Sequence, residues 1–299
     1  MSEITTDDHD RQRTSAAPVV VGVDDSATAI RAAQWAAVVA DARRVPLRLV
    51  HVAGRHVDAP TSAAILDSAR RAVLDRWART APTPAPAIST RALRGDPATR
   101  LTGLSANASE VVVGSASRTT RSMLGSVATT LAASAHCPVA VIRPPASGAA
   151  AVGPVLVVTT PTDSGASLAL SAAMRAAAER RSEMMVVTVT RPAARTSTPR
   201  AEQDIEALLA SHGRHFPTVR ARLVTYFGHT RTAIEKFGAT AQLVVTARHR
   251  RPFWPQLSGT SYLALQHTRC AVLMVPEQQA HPTAIERLRL RRAADQMIG

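Results

Sequence analysis

Residues 111–143 read VVVGSASRTTRSMLGSVATTLAASAHCPVAVIR, and this stretch decides the fold. Val111–Val113 is a short β-branched run closed by Gly114, the pattern of a strand buried on both faces. A polar loop follows, Gly125-Ser126 opens a helix, and Cys137-Pro138 leads into a second strand, Val139–Ile142. Strand, loop, Gly-Ser, helix, strand is how an α/β sheet turns backbone N–H groups toward an anion at a helix N-terminus.

Upstream the same alternation is repeated. Val19–Val23 is a buried-strand run ended by the turn and capping residues Asp24-Asp25-Ser26. A helix follows, with Ile30, Trp35 and Val38 as core-facing candidates, until Pro46 breaks it. Leu47–Val52 reads as a strand, Thr61–Arg79 as an amphipathic helix and Ile88–Leu93 as a third strand. In Gly95-Asp96-Pro97, Asp can cap and Pro suits the first helical position, so a helix runs from there to about Ala106. The order predicts a five-stranded parallel sheet with helices on both faces.

Downstream the pattern restarts. Strands are expected at Val155–Thr159, Met185–Val189, Val219–Thr225, Leu243–Thr246 and Ala271–Val275. Helices are expected from a Ser164 cap to Arg180, over Ala201–Ser211, over Thr230–Lys236 and after Gly259-Thr260-Ser261. Cys137–Ile142 matches Cys270–Val275, Gly125-Ser126 matches Gly259-Thr260, and Gly95 matches Gly228, so the chain reads as one α/β domain duplicated. The expected organisation is a polar tail at 1–17, a first domain at 18–144, a linker at 145–153, a second domain at 154–276, and a basic helical tail at 277–299.

A chain of 299 residues suits two such domains. The formal charge of +14 suggests nucleic acid, but apart from Lys236 the basic residues counted in it are all arginine, they are scattered outside the C-terminal tail, and aromatics make up only 3%. A single-strand binding face would interleave aromatics with the charges. Nucleic-acid binding is therefore set aside. The polar N-terminus lacks a signal-peptide core and no apolar run reaches the ~18 residues of a membrane span, so a cytoplasmic protein is expected. The two cysteines, Cys137 and Cys270, form no C-x-x-C and are expected as buried thiols, with a redox link between the last strands as the competing reading. His51 is expected to pack. His212 and His215 lack a carboxylate or thiol companion, so no metal site is expected. There is no phosphate-loop lysine motif, nucleophile elbow or paired-carboxylate constellation, which points away from an enzyme.

The residues VVVGVDDS at 19–26, LVHV at 49–52, GDP at 95–97 and VVVGSAS…LGSV…HCPVAVIRP at 111–144 resemble the universal stress protein family, as a tandem member. The resemblance covers about 18–276 and is strongest in the first half. It implies strand order 3-2-1-4-5 in each domain and association through the last strand, satisfied here between the two halves, with a further homodimer also compatible. It also implies a stress-response regulator with unidentified protein partners, and ATP as cofactor. ATP-binding members carry G-x-x-G, nine residues, then G-[ST]; glycines let the backbone approach the phosphates.

Carried over by motif position, the nucleotide residues are Asp24, Val52, Gly114, Gly125, Ser126 and Val127. Two departures stand out. Ser117 replaces the second glycine, and ten residues instead of twelve separate Gly114 from Gly125. Arg118 and Arg121 would supply compensating charge. In the second half, Thr246 and His249 replace both glycines, Thr162 falls at the aspartate position, and Pro252–Pro255 is bulky, so this site is read as degenerate. Two readings stay open: ATP bound in the first half only, or a scaffold in which both sites have decayed. Asp24 as an N-cap and Gly125-Ser126 as an ordinary helix start are the plain alternatives at the residue level.

Overall fold

The computed structural model describes residues 16–54, 57–81, 83–115, 125–144, 152–160, 163–190, 198–248 and 259–277. The first half runs β1 (Val19–Gly22), α1 (Ala27–Arg43), β2 (Leu47–Ala53), α2 (Ala59–Thr80), β3 (Ile88–Arg94), α3 (Pro97–Ser105), β4 (Glu110–Gly114), α4 (Ser126–Ser134) and β5 (Val139–Ile142). The second runs β6 (Val155–Thr159), α5 (Ala166–Arg180), β7 (Met184–Thr190), α6 (Thr198–Gly213), β8 (Ala221–Phe227), α7 (Thr230–Gly238), β9 (Leu243–Arg248), α8 (Gly259–His267) and β10 (Ala271–Pro276). The expected basic helix at 277–299 lies almost wholly outside the described residues.

The helix starts follow their caps. Asp58 accepts from the Thr61 N–H at 2.8 Å, so α2 begins at Ala59, before the expected Thr61. Asp96 accepts from the Thr99 N–H at 2.8 Å with Pro97 behind it, as the Gly-Asp-Pro motif predicts. Gly95 has φ +125°, a conformation that only glycine adopts at low cost. Ser164 does not cap α5; Gly165 occupies that position, and the Asp163 carboxylate accepts the Gly165 N–H instead. Helices α1 and α5 both end on an arginine in the left-handed region, Arg44 and Arg181, so the duplication persists at the level of single dihedrals.

Each half is parallel, in the order β3-β2-β1-β4-β5 and its counterpart β8-β7-β6-β9-β10. The two sheets join into one ten-stranded sheet through an antiparallel ladder between β5 and β10, with Val141 opposite Val272 and Val139 opposite Met274. Both layers of core run across this seam. Ala140 and Ile142 share one cluster with Leu273 and Val275; Val139 and Val141 share the other with Val272 and Met274.

Against the sheet, α1 presents an alanine stripe (Ala29, Ala32, Ala33, Ala36, Ala37, Ala40), all buried. Small side chains let the helix lie close to the central strands. Val38, expected to face the core, is 43% exposed, because it lies two residues beyond Ala36 and so points to the opposite side of the helix. Trp35 and Ile30 are half-buried.

Trp35 belongs to a charged cluster where the halves meet. The Arg43 guanidinium bonds Glu110 at 2.9 Å and Glu179 of α5 at 2.7 Å, while Arg180 lies 4.5 Å over the Trp35 ring. Glu110 is wholly buried, and burial raises its carboxyl above the usual range against the pull of Arg43 and Arg180. Burial opposes the Arg43 charge, but Glu110 and Glu179 outweigh it and hold the guanidinium above its ordinary range. Arg43→Met strands the buried Glu110 carboxylate, while Glu179 keeps Arg180 at 3.5 Å, and is expected to cost about 3 kcal/mol in urea unfolding, whereas adding Glu110→Gln to it recovers part of that loss. Equal stability of the single and double variants would show that Glu110 is not held by Arg43.

Cys137 and Cys270 are both free thiols at equivalent places before β5 and β10. Burial pushes Cys137 up to about 12 and Cys270 to about 11. Both folded values lie above the ordinary thiol value, so the folded state favours the protonated form. That contribution is intact below about pH 9 and is lost as pH rises toward the folded values. At pH 8 both thiols are expected to alkylate slowly in the native protein and fast in urea. The urea midpoint should fall between pH 9 and 11 by more in the wild type than in Cys137→Ala/Cys270→Ala; an equal fall would remove the thiols as the cause.

Candidate functional site in the first half

In an open α/β sheet the crevice opens where neighbouring strands send their connections to opposite faces, at the strands' carboxyl ends. Here that point lies between β1 and β4. The chain leaving β1 carries Val23, Asp24, Asp25 and Ser26; the chain leaving β4 carries Gly114 and Ser115, and α4 begins beside them.

The contacts form a continuous string. The Asp24 carboxylate, exposed to solvent, accepts from the Ser26 N–H at 3.0 Å and the Ser26 hydroxyl at 2.5 Å. Asp24 is therefore not the N-cap. Ser26 is, accepting from the Ala29 N–H at 3.1 Å, and Asp24 braces it. Ser26 Oγ lies 3.0 Å from Thr28 Oγ1, and Thr28 in turn abuts Gly114. A Cβ on Gly114 would sit 3.1 Å from the Thr28 backbone carbonyl carbon and Cβ, so β4 approaches α1 closely enough that any larger residue would push Thr28 away by a few tenths of an ångström. Ser115, almost fully buried, donates its N–H to Ile142 O at 2.8 Å and accepts the Gly125 N–H on its own carbonyl at 2.8 Å.

Gly125 is the N-cap of α4, with φ −72° and no side-chain capping bond. The first amides of this helix, at exposed Ser126 and half-buried Val127, have no side-chain oxygen to satisfy them from the cap. The positive end of the helix dipole reinforces them.

Five of the six residues expected from the sequence thus share this crevice or the start of α4. Val52 stands apart, at the end of β2, buried and opposite Leu93. His51 is buried as expected, with Nδ1 2.9 Å from Val23 O; its Nε2 has no hydrogen-bond partner among the described residues. Ser117, Arg118 and Arg121 lie outside the described residues. Ser26, Thr28 and Ser115 wall the crevice and were missed. Ser26 carried the usual signal, a serine just before a helix; Thr28 and Ser115 carried none.

The second half shows different chemistry. From β4 to β5 and from β9 to β10, strand registers, helix starts and cysteines all differ by one constant spacing. That spacing places Ala247, not Thr246, opposite Gly114, and Ser258, not Gly259, opposite Gly125. The two loops are therefore equal in length, which corrects the alignment read from the glycines. Counted on from β1 and β6, Thr160 and not Thr162 stands at the Asp24 position. Thr246 and Ser261, buried, meet at 2.9 Å, and the Ser261 hydroxyl donates to Ala247 O at 2.8 Å. These two positions are Val113 and Ala128 in the first half, an apolar contact. A hydroxyl pair so ties α8 to β9. His249 and 252–255 lie outside the described residues.

Among the described residues no group of three or more His, Cys, Asp and Glu is placed to hold a metal ion, and no helix is long and apolar enough to cross a membrane. His215 falls beyond the end of α6, so its helical pairing with His212 is not realised.

Gly114→Ala forces Thr28 to shift and is expected to cost about 1–3 kcal/mol. Among the described residues a Cβ on Gly125 meets only Ser115 O, at 3.8 Å, so Gly125→Ala should stay within about 1 kcal/mol of wild type. Urea unfolding of both variants checks the order; the reverse order would contradict the packing.

The model of the universal stress protein family matches residues 17–143. Universal stress protein Rv3134c of Mycobacterium tuberculosis is 40% identical over 150 residues, 49% of this chain; the match spans just 56% of that relative's length. Universal stress protein Rv2624c of the same organism is 33% identical over 271 residues, covering 86% of this chain and 95% of the relative. In structure, a universal stress protein from Archaeoglobus fulgidus superposes over 88% of this chain and all of its own, with TM-score 0.67 at 13% identity, a likeness of fold. With a full-length relative at this identity and a family model matched across the half that holds the crevice, the chain belongs to the universal stress protein family.

Proposed function

We propose that the first half binds an adenine nucleotide, ATP, in the crevice between β1 and β4, and that the chain is a cytoplasmic, ligand-dependent stress-response regulator. Two domains, at 18–144 and 154–276, divide the work, and the site residues are Asp24, Val52, Gly114, Gly125, Ser126 and Val127.

One observation carries the reading. A string of contacts, from Asp24 through Ser26 and Thr28 to Gly114 and from Ser115 to Gly125, links the exposed Asp24 carboxylate to the start of α4, which has no side-chain cap. Amides at a helix start suit phosphate oxygens, and a carboxylate suits the hydroxyls of a ribose. The gathered groups are amides, hydroxyls and one carboxylate whose Oδ1 is already committed to Ser26, which favours holding a ligand over turning it over. The second half acts as a non-nucleotide partner, since Ala247 and Thr160 stand where the first half has Gly114 and Asp24.

Isothermal titration of ATP into the wild type and Gly125→Ala, after a check for co-purified nucleotide, is the test. Wild-type binding that weakens at least about tenfold in the variant is expected, because the added methyl crowds the phosphate path without unfolding the chain. No heat and no co-purified nucleotide would overturn the reading, leaving the scaffold alternative.

A further inference from the structure

The end of α4 opposite the crevice is held by the other half. Arg248, the last residue of β9, is 5% exposed. Its Nη1 donates to Ala133 O and its Nη2 to Ala135 O, carbonyls of the last turn and cap of α4. Carbonyls there have no partner within the helix. The arrangement is reciprocal. Arg143, just after β5 and 7% exposed, donates to Leu265 O near the end of α8. Each helix of the pair therefore ends on a buried arginine from the opposite half.

Duplication alone does not produce this. By the constant spacing of the halves, Arg248 corresponds to Ser115 and Arg143 to Pro276. The two caps come from positions that do not correspond between the halves. A guanidinium out of water is costly unless its N–H groups are bonded, so the two bonds fix Arg248 and the helix end together. A nine-residue helix is only about 13 Å long, so where its last turn is held decides where its first amides point. A cation at the carboxyl end also complements the dipole that favours an anion at the other.

We propose that Arg248 is a positioning residue for the first-half site: through it the second half aligns the N-terminal amides of α4 for the phosphates. The affinity consequence rests on the nucleotide reading above; the bracing of α4 does not.

The full chain is compared as wild type, Arg248→Met, Arg248→Lys and Arg143→Met, by hydrogen exchange without ligand, by ATP titration and by thermal melting. Arg248→Met should speed exchange over 126–135 and weaken ATP about tenfold, within the range of coupling between sites. Arg248→Lys, which keeps the charge but not the two-pronged reach, should fall between. Arg143→Met should speed exchange over 259–267, lower the melting temperature comparably and leave ATP affinity within about twofold of wild type. Unchanged exchange over 126–135 in Arg248→Met, or equal loss of ATP affinity in the Arg248→Met and Arg143→Met variants, would overturn the proposal. If Arg248→Met does not fold, Arg248→Lys carries the comparison. A wild type that binds no ATP but whose α4 exchange responds to Arg248 alone would sink the nucleotide reading and leave the bracing in place.

Discussion

The antiparallel ladder between β5 and β10 is the constraint on which the rest of the structure depends. Both strands are apolar on both faces, VAVI and AVLMVP, and neither could stand at an open edge without inviting association. Pairing them removes two hazardous edges at once. It also makes each helix layer continuous with its counterpart, so the two halves share both of their cores. The edges left at the ends of the sheet are β3 and β8. Most of β3, including Thr90, Arg91 and Arg94, faces solvent, which is how an exposed edge is kept from pairing.

Polar groups at this seam are expensive to bury and are correspondingly specific. On one face Arg43, Glu110, Glu179 and Arg180 neutralise one another beside Trp35. On the other, Arg248 gives both Nη groups and Arg143 gives Nη2 to helix carbonyls across the seam. The contacts that cross the seam, Arg43 to Glu179, Arg180 to Trp35, and Arg143 and Arg248 to the helix carbonyls, are lost if the halves slide by one residue, since a shift of one position turns each strand's side chains to the opposite face. The hydrophobic ladder supplies the attraction, and the charges fix the register.

Within that symmetric frame the two crevices diverge. In the first half, Gly114 lets β4 close on Thr28, and α4 starts with no side-chain cap. In the second, Ala247 stands in place of that glycine and a threonine–serine pair joins α8 to β9. The same backbone therefore carries an open set of amides on one side and an internally satisfied contact on the other. Arg248 is the point where the second half reaches the helix of its twin.

The sequence by itself determined the element order, the parallel sheet, the duplication and most of the crevice, because these rest on local physics. Buried-strand runs, a Gly-Asp-Pro helix start and Gly-Ser before a helix act within a few residues. Where local signals were weak, the reading failed. Val38 looked as apolar as its neighbours, yet the helix turned it outward, and Ser164 lost the cap position to Gly165. Of the matches between the halves, Gly95 with Gly228 and Cys137 with Cys270 held the spacing that strand pairing gives, and only Gly125 with Gly259 slipped by one residue. Only the tertiary structure decided that Ser26, and not Asp24, caps α1, that Trp35 lies under Arg180, and that Arg248 and Arg143 are exchanged between halves. Arg248 and Ala133 are 115 residues apart in the chain. No local pattern records such a pair, because its energy comes from burying a guanidinium where another part of the fold leaves carbonyls unpaired.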